Sequence, residues 1–206
     1  MQAVGVTAVG AVLGWLVGGT VAALVLGGVS LVFAVAFGLA VARGEPYRGS
    51  SLGAWRAVID ATWSALNTWA GAIYYATHRV FGNPHDPQRS RGTGSIWLER
   101  GFIPHGRDPV TGQRTWYATT IGTVKAGSYP AVDPHEQFHV FQARLLGPFY
   151  LPLVAINYVV ATIIPYWLVV PSDKRRPVTG VFTYFTHGVY PHVWNEAWAY
   201  HSKGPK

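Results

Sequence analysis

The chain has 206 residues, a formal net charge of +7, 50 % hydrophobic residues and only 12 % charged ones. That balance is membrane-like rather than soluble, and it turns the basic charge toward anionic lipid headgroups and away from nucleic acid. There is no cysteine, so disulfides and thiolate metal sites are excluded and any metal must be held by His and carboxylate.

The length supports one domain with membrane segments attached. Three segments are expected: an anchor over 1–47, an amphipathic helix over 48–81, and a domain over 82–206. The fold class they imply is a mainly α membrane protein with a small β-hairpin. Nine Trp and eleven Tyr agree, because such rings favour the membrane interface.

Residues 3–42 carry no charged side chain. One helix of that length would measure about 60 Å, twice the hydrocarbon thickness of about 30 Å. Two spans joined near Gly18-Gly19-Thr20 or Gly27-Gly28 are therefore expected, with Gly10, Gly14, Gly18, Ala22 and Ala23 allowing close approach. Ala40-Val41-Ala42 resembles a signal cleavage site, but the apolar run is too long for a signal core and no Lys or Arg precedes it. A retained anchor is the expectation. Arg43, Arg48 and Arg56 follow at once, which by the positive-inside rule puts the basic domain on the cytoplasmic side, with a bacterial inner membrane as the expected location.

Over 51–80, Leu52, Trp55, Ile59, Trp63, Leu66, Trp69 or Ala70, and Ile73 recur every three or four positions, the spacing of one amphipathic helix. A helix lying in the bilayer interface and a helix packed on the core both fit this pattern. Residues 82–94 read as a polar loop in which His85 and Asp86, flanked by prolines, suit a turn better than a metal site. Arg89, Arg91 and Arg100 suit lipid phosphates, a partner, or a solvated basic surface. Ser95–Phe102 and Thr115–Val124 are rich in β-branched and aromatic residues and flank turn chemistry at 108–112, which predicts an antiparallel hairpin.

The most informative stretch is Asp133-Pro134-His135-Glu136-Gln137-Phe138-His139. On a helix His135 and His139 project from one face, about one turn apart. Both can then reach one Zn²⁺, with Glu136 beside it as the base for a water. Asp133 suits the N-cap, Pro134 the first helical position and Glu136 the third, where a capping box wants it. Gly147-Pro148 should stop the helix.

Here the chain resembles the zincin metallopeptidases, and among them the membrane-embedded gluzincin-like proteins. The resemblance rests on HEQFH, on Phe141-Gln142-Ala143-Arg144-Leu145-Leu146-Gly147-Pro148 and on Asn195-Glu196-Ala197-Trp198-Ala199, and it runs from about Gly122 to Ala199. It implies a third metal ligand from a glutamate on a later helix, in an E-x-x-A pattern that Glu196 and Ala199 match. It also implies an edge strand beside the metal helix, a part that 115–124 would take, pairing with extended substrate. Phe138 stands where many membrane members carry Gly, a departure that bears on substrate access rather than on the ligands.

Phe149–Val170 is a second apolar run, and Asp173, Lys174, Arg175 and Arg176 follow it. A full crossing would carry Glu196 about 30 Å from the two histidines. A bent or re-entrant segment over 149–170, broken near Asn157 or Pro165, avoids that separation. In the tail, a helix starting after Pro191 would put His192 and Glu196 on one face. Glu196 is then the first candidate for third ligand and His192 the alternative, while His187, Tyr190 or His192 suit an oxyanion.

Two functions are expected. The first is a membrane-bound, zinc-dependent, metallopeptidase-like hydrolase with Glu136 catalytic. The second is an inactive zincin-like accessory subunit of a larger membrane complex.

Overall fold

The computed structural model describes residues 1–49, 51–107, 112, 114–169 and 177–202. The expected turn residues 108–111 and the charges Asp173, Lys174, Arg175 and Arg176 lie outside the described residues. The chain is mainly helical and divides into two compact units, Met1–Pro148 and Phe149–Lys206.

The first unit opens with α1, Gln2–Gly44, which is broken at Gly18 and Gly19. Gly19 has φ +68° and ψ −152°, a conformation closed to residues with a side chain, so the chain reverses there. The two arms then lie almost in contact: a Cβ on Gly14 would fall 2.3 Å from the Ala22 carbonyl oxygen. Of the two junctions the sequence offered, Gly18-Gly19 is the one used. By length and composition, two helices are long and apolar enough to cross a membrane, Gln2–Gly44 and Asp133–Ile163.

The expected single helix over 51–80 is two helices, α2, Ser51–Ala61, and α3, Ala65–Val80. The break has a polar cause. Ser64 Oγ donates to the Ala143 carbonyl at 3.0 Å, and Asn67 Nδ2 donates to the carbonyls of Ala143 (3.0 Å) and Gly147 (2.7 Å). These bonds reinforce the end of a later helix, adding to the Gly147 amide on the Ala143 carbonyl and taking up the Gly147 carbonyl beyond it. Asp60, Ser64, Asn67 and Thr68 are all buried, whereas Leu52, Trp55 and Trp63 stay exposed. The apolar stripe of α2 thus faces outward and its polar side faces the protein.

A two-residue strand β1, His85–Asp86, leads into a helical turn α4, Pro87–Ser90, capped by the Asp86 side chain, which accepts from the Arg89 amide at 2.9 Å. Strands β2 (Ile96–Leu98), β3 (Pro104–Arg107), β4 (Arg114–Trp116), β5 (Thr119–Ile121) and β6 (Val124–Ala126) follow. The main sheet has the order β1-β2-β6-β5, with β2 parallel to β6 and β5 antiparallel to β6. The predicted antiparallel hairpin of 95–102 with 115–124 does not form among the described residues; the two stretches meet only where Ile96 pairs in parallel with Val124. Instead β3 pairs with β4 in a separate hairpin, and β2 runs parallel to β6. The reason is burial: β2 and β6 are buried along their whole length, as parallel strands require.

Alternation along these strands sets the rest. Ile96, Leu98, Val124 and Ala126 point into a core shared with Val6, Ala34, Phe37 and Ala40 of α1 and with Ala72 and Tyr75 of α3. Trp97, Lys125 and Thr120 are register neighbours on the opposite face, where α5, Asp133–Leu146, packs.

In the second unit, α6 spans Tyr150–Ile163 and ends at Ile164-Pro165 before a short turn at Tyr166–Leu168. The helix therefore runs through Asn157, whose Oδ1 accepts from the Trp194 amide at 2.9 Å. Next come α7, Val181–Thr183, a π-helical segment Tyr184–Val189, α8, Tyr190–His192, and α9, Trp194–His201. Ala161, Val189 and Val193 form its core with Tyr158, Tyr166 and Tyr184. The final helix begins at Trp194 rather than after Pro191. Val193 is extended, with φ −65° and ψ 140°, so His192 and Glu196 do not share one helix face.

Candidate metal centre

Helix α5 begins without the expected capping box. Val132 precedes it with no side-chain cap, and Asp133 lies inside the first turn. The Asp133 carboxylate is taken by Lys125, whose Nζ lies 2.6 Å from Oδ1. That ammonium is fully buried, 2.9 Å from Gln137 Oε1 and 3.9 Å from the centre of the Trp97 ring. Burial lowers the Lys125 pKa, and the bond to Asp133 opposes that shift. A buried charge needs such partners, and here they hold the first turn of α5 against the sheet.

One face of α5 carries His135 and His139. Their Nε2 atoms are 3.1 Å apart, and the rings meet nearly edge to face at 87°. Gln142, three residues on, places Oε1 2.8 Å from His139 Nδ1. A glutamine Oε1 only accepts, so Nδ1 carries the proton and Nε2 of His139 presents its lone pair toward His135. Two imidazole nitrogens at about 2.0–2.1 Å from a tetrahedral metal would lie about 3.3 Å apart. The observed separation is close to that figure, so the pair fits a metal of this kind. Gln142 would have been found by extending the motif one helical step, since residues three apart share a face.

Glu136 is buried, 4 % exposed, and its Oε2 accepts from Thr120 Oγ1 at 2.5 Å. Thr120 is the middle residue of β5, which pairs only with β6 within the sheet and so forms its edge. The Tyr74 hydroxyl of α3 bonds Thr119 next to it. Burial pushes the Tyr74 phenol up to about 12, which keeps it protonated as a donor. An edge strand beside α5 is what the resemblance implied for 115–124, and Thr120 is a contact that the sequence alone did not single out.

The Arg144 guanidinium anchors the other end of α5. Its Nε and Nη2 lie 2.8 and 2.7 Å from the two oxygens of buried Asp60, and the Tyr47 hydroxyl donates to Asp60 Oδ2 at 2.8 Å.

In the second unit, Glu196 stands in the first turn of α9 and is 6 % exposed. Asn195 Nδ2 lies 3.3 Å from its Oε1. His192 Nδ1 is 2.6 Å from the Gly188 carbonyl and its ring stacks on Trp167. His187 Nδ1 lies 3.0 Å from the Pro177 carbonyl. His85, which the sequence assigned to a turn, bonds Ser90 Oγ at 3.1 Å. Comparison with protein-family models, with curated proteins and with solved structures finds no match to the chain.

Proposed function

We propose that the chain is a membrane-anchored, metal-dependent hydrolase of the metallopeptidase type, with His135, His139 and Glu196 as ligands and Glu136 as general base. His135 and His139 of the first unit supply the facing pair of nitrogens, and Glu196 is taken as the third ligand on the E-x-x-A match that the resemblance rests on. Two nitrogens and a carboxylate are a donor set that zinc accepts readily, and it leaves a fourth position for water. The observation that carries the reading is the facing pair of Nε2 atoms at 3.1 Å, with His139 held by Gln142. A zinc ion bound there would lower the pKa of its water to about 7.

The chain's own residues supply the rest. Glu136, one position after the first histidine, would act as general base, accepting a proton from an attacking water and passing it to the leaving amine. Thr120 holds the Glu136 carboxylate in a single orientation by its 2.5 Å bond. The free edge of β5 suits an extended peptide as substrate.

The anchor reading rests on the two helices long and apolar enough to cross a membrane. Leu24, Val25, Val32 and Val35 of α1 are exposed, as lipid-facing residues are. Anionic headgroups then complement the basic charge. The deciding measurement is metal content and peptide hydrolysis of the purified chain, for wild type and His139→Ala. About one zinc per chain, lost in the variant, with hydrolysis lost alongside it, supports the hydrolase. Zinc without turnover on any peptide moves the assignment to the accessory subunit of a larger membrane complex. No zinc in either protein overturns both readings.

A further inference from the structure

Two loops of the first unit meet in an exposed apolar tip remote in sequence from the metal helix. Val80 and Phe81 end α3, and Phe102 and Ile103 follow β2. Their exposures are 83, 74, 51 and 60 %. The tip is ordered rather than splayed: Phe81 meets Phe102 edge to face at 5.8 Å, and Phe102 stacks on buried His78 at 3.8 Å. Asn83 ties the two loops together, since its Oδ1 accepts from the Arg100 amide at 3.0 Å and its amide donates to the Arg100 carbonyl.

Arginines outnumber carboxylates around this tip: Arg43, Arg79 and Arg100 stand there, with the exposed Glu99 beside Arg100 in the same loop. Arg79 and Arg100 donate to backbone carbonyls, those of Asn83 and Gly82, both at 2.8 Å. Arg43, at the end of α1, is exposed; burial lowers the pKa of nearby His85, and the charges of Arg79 and Arg43 lower it further. Among the described residues these three arginines have no carboxylate partner, whereas Arg89 is paired with Asp86 and both Arg48 and Arg91 with Glu45. Contiguous exposed apolar side chains mark an interaction surface, and a rim of unpaired arginines selects an anionic one. The same rim lies at the end of α1, where the apolar run of the anchor stops.

We propose that this tip is a second membrane contact: Val80, Phe81, Phe102 and Ile103 insert among the headgroups of an anionic bilayer, and Arg43, Arg79 and Arg100 pair with lipid phosphates. The contact rests on the membrane reading of α1. It gives the first unit two points of attachment, so that the protein is held at a fixed tilt to the bilayer surface instead of swinging on its anchor.

The absence of native cysteine makes the test direct. Single variants Val80→Cys, Ile103→Cys and Leu24→Cys, each carrying an environment-sensitive fluorophore, are reconstituted as the full chain into vesicles of phosphatidylcholine alone or mixed with phosphatidylglycerol. Position 24 reports on the anchor. The expected result is blue-shifted emission at 24 in both vesicle types, and at 80 and 103 only in the anionic vesicles. Adding Arg79→Gln and Arg100→Gln should return positions 80 and 103 to water-like emission and leave 24 unchanged. Water-like emission at 80 and 103 beside a buried position 24 overturns the proposal and leaves the anchor reading standing. Water-like emission at all three positions overturns both. An equal shift in the two vesicle types, or one that grows with protein concentration at fixed lipid, also overturns it, the second outcome assigning the tip to contact between protein molecules.

Discussion

His139 Nδ1 and Gln142 Oε1 lie 2.8 Å apart on one face of α5. This bond makes Nδ1 the protonated nitrogen and keeps Nε2 available, so a residue that touches no ligand position sets the tautomer of one that does. Partners of this kind raise ligand basicity and fix ring orientation. Gln142→Ala should weaken zinc binding about 10–100-fold, read by competition with a chelator. Gln142→Glu, which keeps an acceptor at the same place, should bind at least as tightly as wild type. Equal affinities in all three proteins would remove Gln142 from the site.

Glu136 and Thr120 make a separable prediction. Glu136→Gln keeps the size of the side chain and removes the base, so metal content should stay near wild type. Hydrolysis should fall by about 10²–10⁴-fold, the usual contribution of a positioned base. Thr120→Val removes the 2.5 Å bond to the carboxylate and a long 3.5 Å one to the Glu136 carbonyl. Its effect should be smaller and confined to turnover, with metal content unchanged.

The Arg144–Asp60 pair is a matter of stability. Both side chains are buried, at 10 and 0 % exposure, so neither charge can turn to water when its partner is lost. Asp60→Ala should cost about 3–5 kcal/mol, because it strands a buried guanidinium. Denaturant unfolding in detergent measures this cost. The double variant Asp60→Ala, Arg144→Met should recover much of the loss, since it leaves no uncompensated charge.

His78 predicts an acid-labile fold. Burial lowers its pKa from 6.5 to about 4, and burial, Arg79 and Arg43 lower His85. Both are neutral in the native protein where the unfolded chain already takes up a proton. The unfolded state therefore binds more protons below about pH 6.5, and stability should fall as the pH drops from there toward 4. Midpoints of thermal unfolding across this window check it. His78→Gln should flatten the dependence, and an unchanged slope would assign it elsewhere.

The parts of this protein legible in the sequence are those written in local spacing. Two histidines four apart with a glutamate between them can share a face on any helix, whatever packs around it. The reversal at Gly18-Gly19 is equally local, because only glycine accepts the backbone angles found there. The candidate ligands His135 and His139 and the candidate base Glu136 are legible for this reason.

Tertiary structure decided what those residues touch. Asp133 has the chemistry of an N-cap, yet it turns to the buried Lys125, because an ammonium enclosed between strands and α5 needs a carboxylate more than a helix end open to water does. The stretch 51–80 has the period of one helix, yet it breaks at 62–64 so that Ser64 and Asn67 can reach carbonyls some eighty residues away. Ser95–Phe102 has the composition of a hairpin arm, yet β2 runs parallel to β6. Each outcome is set by a partner outside the segment itself, and the burial energy of such a contact leaves no periodic trace in the segments that make it.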